Sequence, residues 1–521
     1  MKKNVLIAVA YFYSILFSVC MYAEESTFPL EKAIALSLEN NLDVKTLQSQ
    51  VRQGAAALQI AIGTTDFTLG TGVTQTRSVQ SYDKDDYYSY STYYNGLKND
   101  STEFSVWLQK QFNFGLTMKT TLDYQRTEQK FWNADTKEWI GVNQRYGYAD
   151  HFSNVGSADI ALTLPLNKSF KNSEVDTAIE IKKVQKQMVE NSFDAGVSQI
   201  VLKTATAYWD YWYAVKKLSY YRIAEKRMTD LADSVKKLAE AGERAKYEYT
   251  LMTADLSSYS LNCIIAEQEL TAARNALASA MGISVPDTEN LGEPTDGMPE
   301  IDRQAGLSID VRFAVNEAKK NRPDLLSLQQ RAVAAGLQMK QAAISTKPDF
   351  NLNLGLGYKG AYFGDSLAEG LTRSFSDNVI TPGFSGGFSF QLDLGTKNKG
   401  TIHEAEEGKN QAELEVQKLE QQIEYDVEMQ ALNIQKYLEI MKKSYETMMY
   451  YSKTVDDETV KLTSGYSTVA DLTSVQDKQI NASVRYAESI KQFADAIFTY
   501  KYTIGKISDG IDNHQKVYSV Y

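Results

Sequence analysis

Residues able to do covalent or metal chemistry are few in this chain and poorly placed for it. The three histidines, His151, His403 and His514, lie far apart and share no ligand spacing. Zinc sites gather His and Cys at short intervals, so a zinc enzyme is not expected. The two cysteines, Cys20 and Cys263, supply neither a disulfide framework nor a Cys-rich metal site. Cys263 falls on an apolar helical stripe and reads as core filling. Gly-x-Gly occurrences such as Gly355-Leu356-Gly357 sit inside strand patterns, not at a strand-to-helix turn that could cradle phosphate. No nucleophile elbow is found. Enzymatic activity, metals and organic cofactors are therefore not expected. Acidic residues (66) outnumber basic ones (55), for a net charge of -11. That argues against nucleic acid, because binding phosphates needs a positive surface.

The N-terminus reads as an export signal. Lys2 and Lys3 precede a largely apolar run from Val5 to Val19, and a short stretch ends at Ala23. This is the layout of a signal peptide over residues 1–23, cleaved after Ala23. The alternative is lipidation at Cys20, behind Phe17-Ser18-Val19. The apolar run is shorter than the ~20 residues of a membrane span, and no later stretch approaches that length. The mature chain is expected to be exported and to lack transmembrane helices. A β-barrel stays open, since its signal per strand is weak.

The elements that would position any site come in two copies. Shifted by 223 residues, Gly242 falls on Gly465, Glu248 on Asp471 and Gly282 on Gly505. Shifted by 281, Ala33 falls on Ala314, Asn40 on Asn321, Asp43 on Asp324 and Leu47 on Leu328. Each copy reads as short helix, strands, long helix, turn, long helix. The first repeat is placed at 24–283 and the second at 307–506, with a tail at 507–521. Between them, 284–306 holds Pro286, Pro294, Pro299 and six acids, and reads as a linker. Residues 166–285 and 383–521 contain no proline. Leu472, Val475, Gln479, Ala482, Tyr486, Ile490, Phe493 and Ile497 recur at steps of three and four, a coiled-coil seam. Met252, Leu256, Tyr259, Cys263, Leu270 and Leu277 form its counterpart. Helices of ~65 residues would be ~100 Å long, which suits a rod or tube rather than a compact enzyme.

The strands alternate. Phe350, Leu352, Leu354, Leu356 and Tyr358 are interleaved with Asn351, Asn353, Gly355 and Gly357. The stretches 67–74, 158–164 and 388–394 do the same, and 104–108 with 116–124 form an added hairpin turning at Asn113-Phe114-Gly115. One apolar and one small or polar face fits lipid outside and water inside, and equally a soluble sheet with one buried face. The export signal and the aromatic stretches around Tyr82–Tyr94 and Trp132–Tyr148 favour the membrane. Four to six strands cannot close a barrel alone, since about 8 is the minimum. Three copies would supply about 12 to 18.

The order of these parts resembles the TolC-type outer-membrane factor family (outer-membrane efflux proteins). The carrying residues are Leu30-Glu31-Lys32-Ala33-Ile34 leading to Asn40-Asn41-Leu42-Asp43-Val44, and Ala314 leading to Asn321-Arg322-Pro323-Asp324-Leu325. The strand exits Leu162-Thr163-Leu164-Pro165-Leu166 and Phe390-Gln391-Leu392-Asp393-Leu394-Gly395, the stretch Thr204 to Trp209, and Gly465 with Asp471 also fit. The resemblance implies a mainly α fold with transmembrane β. In a trimer, coiled-coil helices would form a periplasmic α-barrel and the strands a shared outer-membrane β-barrel. It implies the exit duct of a tripartite efflux pump or type I secretion system, with a periplasmic adaptor and an inner-membrane transporter as partners. It also implies that the turns at Gly242 and Gly465 are periplasmic tips, with Arg244 and Ser467 as possible adaptor contacts. Glu248 and Asp471, six residues after those glycines, would then be the pore constriction. The family's tyrosine–arginine–aspartate latch is replaced by Leu462, Ser467 and Ser474, so any closure must use other contacts. The competing readings are an exported coiled-coil scaffold without a pore, and a diffusion porin, which needs no helices of ~100 Å.

Overall fold

The computed structural model describes residues 28–81, 94–141, 152–170, 173–242, 245–288, 291–297, 309–376, 381–464 and 466–509. The leader, Cys20, Arg244 and Gly465 lie outside them.

Element lengths repeat along the chain. Helices α1 (Leu30–Asn40) and α2 (Leu42–Gly63) lead into strands β1 (Phe67–Ser81), β2 (Tyr94–Gln111), β3 (Thr117–Asn133), β4 (Glu138–Gly141) and β5 (Ser153–Pro165). Helices α3 (Glu174–Glu240), α4 (Lys246–Met281) and the short α5 (Val285–Thr288) follow. The second pass runs α6 (Val311–Asn321), α7 (Pro323–Ser345), β6 (Asp349–Phe363), α8 (Leu367–Ser376), β7 (Thr381–Gln391), α9 (Lys397–Thr463) and α10 (Val469–Thr503). Both α3 and α9 have 67 residues, and α4 and α10 have 36 and 35. At 1.5 Å per residue each of the longest helices extends about 100 Å.

The copies also share a contact. Gly282 ends α4 at φ +71, and a Cβ there would lie 2.7 Å from the Asn41 Cα, at the break between α1 and α2. Gly505, beyond α10, has φ +73, and a Cβ there would lie 2.7 Å from the carbonyl carbon of Asn321, at the break between α6 and α7. Each position requires both the left-handed conformation and the missing side chain. In the first copy Ser37 Oγ and Asn41 Nδ2 donate to the Ala280 carbonyl, at 3.0 and 2.8 Å, satisfying a helix-end acceptor. In the second copy the break carries Arg322 instead, bonded to Asp324 through two nitrogens at 3.0 and 2.6 Å.

The chain divides into two compact units, each drawn from both copies: residues 1–52, 187–329 and 414–521, and residues 53–186 and 330–413. In the helical unit one core gathers Tyr208, Trp209 and Trp212 of α3 with Leu277 and Met281 of α4 and Phe493 of α10. The proline-bearing segment after α5 is tied to it. Pro294 bridges Phe28, the Tyr208 hydroxyl donates to Asp296, and Asp296 accepts from the Leu30 N–H at 2.6 Å. The expected seams are inward: Met252, Tyr259, Cys263 and Leu277 are buried, as are Leu472, Ala482, Ile490 and Phe493. Burial pushes the Cys263 thiol up to about 11, an unreactive environment.

The second unit holds one antiparallel sheet in the order β1-β2-β3-β5-β6-β7, with β4 paired to the end of β3. The added hairpin is β2–β3. It is longer than the expected 104–124 and belongs to the sheet, turning with Phe112 N bonded to Leu116 O at 2.8 Å. Strand β7 ends at Gln391, short of the expected 394, because its partner β6 begins opposite it at Asp349. Helix α8 was not expected; it lies against β5 and β6, where Gly156 leaves room for Phe375 and the Tyr358 hydroxyl donates to the Phe375 carbonyl at 2.7 Å.

Candidate functional site: the sheet faces and the helix turns

The ladder assigns the strand residues to faces, with one register shift at the start of β2 between Tyr94 and Leu97. The row Thr71–Val106–Leu122–Ala158–Tyr358–Pro382 crosses all six main strands, and so does the row Phe67–Lys110–Met118–Leu162–Leu354–Gly386. Side chains two apart along a strand share a face. One face therefore collects Phe67, Leu69, Val73, Phe104, Val106, Leu108, Leu122, Ile160, Leu356, Phe384, Phe388 and Phe390, all exposed. Charges bound this face. The Lys110 ammonium lies 4.4 Å from the Phe67 ring centroid, and further along β1, Arg77 pairs with Asp100 at 2.5 Å. The opposite face carries Glu103, Asp123, Asp159, Lys119, Lys359 and Asn353 among small residues such as Gly70, Gly72, Gly355 and Gly357. An exposed apolar face backed by a polar one suits a wall between lipid and water. Strands β1 and β7 have no partner on their outer edges among the described residues. No described helix is long and apolar enough to cross a membrane.

In the helical unit the two turns flank one apolar cluster. It joins Met228 and Val235 of α3, Met252 of α4, and Val469 and Ile480 of α10, with Leu462 of α9 against it. Tyr259 of α4 strengthens it by donating to Asp477 of α10 at 2.5 Å. At the first turn Gly242 has φ +80 with nothing near its absent side chain, and Glu248 is half-buried in the first turn of α4. At the second, Asp471 is the third residue of α10 and closes a capping box. Its N–H donates to Thr468 Oγ1 at 3.2 Å, and its carboxylate accepts from the Thr468 N–H at 3.2 Å and hydroxyl at 2.6 Å. The Thr468 hydroxyl and then its N–H hold the Asp471 carboxyl below the usual carboxylate range. The group is exposed and stays ionised. Ser467, where the family latch has arginine, donates to Glu458 of α9, which also pairs with Lys461 at 3.0 Å. These contacts hold Glu458 below the usual range, the serine bond first. Two residues not singled out from the sequence stand at the turns: Tyr247 and Tyr466 are 70% and 87% exposed. Aromatics so exposed beside a turn have no core role, but nothing in their spacing distinguishes them from buried ones.

Comparisons agree with this geometry. Residues 314–496 match the family described as outer membrane efflux protein. No curated protein sequence matches the chain. The Campylobacter jejuni CmeC outer membrane channel superposes with a TM-score of 0.66 at 14% identity, over 92% of this chain and 86% of that one. The outer membrane protein VceC of Vibrio cholerae gives 0.65 at 13%, over 91% and 96%. The MtrE outer membrane channel of Neisseria gonorrhoeae gives 0.61 at 13%, over 92% and 89%. Residues 314–496 thus match the outer membrane efflux protein family, and the chain as a whole shares the fold of the outer membrane channels it superposes on.

Proposed function

We propose that this outer-membrane efflux channel works as a homotrimer, the passive exit duct of a tripartite efflux pump or type I secretion system. The observation that carries this reading is the continuous apolar face across six strands, with a polar face behind it and both edges unpaired among the described residues. An unpaired edge in lipid costs several kcal/mol for each unsatisfied backbone group, so copies must complete one another's sheets. A periplasmic adaptor and an inner-membrane transporter would supply docking and energy. The exposed Tyr247 and Tyr466, with Gly242, Ser467 and the neighbouring Arg244 and Gly465, are the surface we assign to the adaptor. Glu248 and Asp471 are assigned to the constriction, where three copies would set six carboxylates around one axis and favour cations. Their roles as solvated turn residues are the competing assignment.

Single-channel conductance of the detergent-purified protein in a planar bilayer tests this, with a Glu248→Gln/Asp471→Asn double variant alongside. The amide isosteres keep the size of the side chains and the cap. A small, cation-preferring conductance is expected, with the preference lost in the variant. Preference unchanged in the variant would keep the channel and discard the constriction. Folded protein that never conducts would leave the non-pore coiled-coil scaffold as the better account.

A further inference from the structure

We propose that the hairpin β2–β3 is part of the lipid-facing wall, so that three copies close an 18-stranded barrel, β7 of each pairing with β1 of the next. This rests on the duct reading and adds the composition of the wall and its mode of closure.

Three observations carry it. From Leu97 to Phe131 the hairpin continues the two faces of the sheet in unbroken register. Phe104, Val106, Leu108 and Leu122 lie on the apolar side, and Glu103, Lys119 and Asp123 on the polar side. A flap folded into an aqueous lumen or standing in solvent would have no use for an exposed apolar side in line with that of its neighbours. Second, β2 is fitted to β1 on the polar side. A Cβ at Gly70 would lie 2.3 Å from the Trp107 indole, and one at Gly72 would lie 2.9 Å from Ser105 Oγ. The Lys119 ammonium lies 5.4 Å from the Trp107 ring, extending the packing to β3. Third, the count has the right parity. Six strands joined only by antiparallel pairs leave β1 and β7 pointing in opposite directions. Copies related by rotation about a common axis then meet as an antiparallel pair, and an odd number of strands would make that junction parallel. The junction also matches in polarity, because Phe67, Leu69 and Val73 on β1 share the side of Phe384, Phe388 and Phe390 on β7. A hairpin left outside the wall would give four strands per copy and twelve in the ring. Barrel diameter grows roughly linearly with strand number, so the proposed wall is about one and a half times as wide.

The test is spin-label accessibility in proteoliposomes, using single cysteines in a Cys263→Ala background. Val106→Cys and Leu122→Cys report the apolar side of the hairpin, where the native residues are 42% and 50% exposed. Ser105→Cys and Thr121→Cys report its polar side. Ile160→Cys and Leu356→Cys on β5 and β6 are wall positions in either arrangement. Expected are collisions with dissolved oxygen at 106, 122, 160 and 356, and with a water-soluble nickel chelate at 105 and 121. Oxygen at 160 and 356 but nickel at all four hairpin positions would overturn the inference and leave a twelve-stranded duct. Nickel at every position would overturn the duct reading itself. Paired cysteines scanned along β1 and β7 should also yield disulfide-linked dimers and trimers. No inter-chain link anywhere along the scan would overturn the closure.

Discussion

The Asp471 carboxylate begins a helix and also faces solvent, and the two roles support each other. Capping by Thr468 holds the side chain at the turn and lowers its pKa, so its charge persists to lower pH than that of an ordinary aspartate. Thr468→Ala should cost about 1 kcal/mol of stability as a lost N-cap. It should also raise the pH at which cation preference fades, read from reversal potentials across an acid series. Asp495 shows the opposite shift. Burial, and secondarily Asp210, push its carboxyl up to about 7, against the opposing pull of Lys491. A carboxyl whose folded pKa exceeds its unfolded value gives stability that is complete below about pH 4 and lost as pH rises through 7. Asp495→Asn should therefore match the parent near pH 4 and melt higher than it at pH 8. Equal melting shifts at both pH values would show that Asp495 is not the titrating group. The capping box could be read from Thr-x-x-Asp spacing, and the identity of Asp471 as a turn acid from the repeat. The Ser467–Glu458 bond could not, because it closes between residues nine apart across a reversal of the chain.

At the scale of elements, the two copies are tied to the same backbone geometry at Gly282 and Gly505. Substituting alanine at Gly242, which has space around it, should cost only the ~1–2 kcal/mol of a left-handed non-glycine residue. Gly282→Ala and Gly505→Ala add a collision with backbone and should cost more, which thermal unfolding of the three variants would rank. The equivalence of Gly282 with Gly505, and that of Asn40 with Asn321, are what two separate sequence shifts detect, while the contact between glycine and helix break appears only in the structure. Helices were legible because their seams run for many turns without proline. Strand positions were legible from the apolar alternation, but strand ends were not. In β1 the ladder continues through Thr74, Gln75, Thr76, Arg77 and Ser78, where both faces are polar and the period leaves no trace. At the other extreme, Leu392 and Leu394 keep the period of β7 after its partner has ended. Helix α8 is ten residues long and its docking depends on Gly156 of a distant strand, so local pattern could not announce it.

At the scale of the whole molecule, an exposed apolar sheet face, with no partner on the outer edges of β1 and β7 among the described residues, fits a sheet completed by other copies in lipid. The protein should stay with outer membranes through alkaline carbonate washing and leave them in detergent as a trimer. Release by carbonate as a single chain would favour the coiled-coil scaffold. The hairpin adds a different consequence. It is inserted in the sheet between the end of β1 and the start of β5, and Phe67, Lys110, Met118 and Leu162 stand level across the strands. Chain direction and facing are the same with the excursion as without it. Wall can therefore be gained or lost in whole hairpins, two strands per chain and six per ring, while the closing edges keep their orientation. Evolution can in this way change the girth of such a tube in fixed increments without redesigning the joint that shuts it.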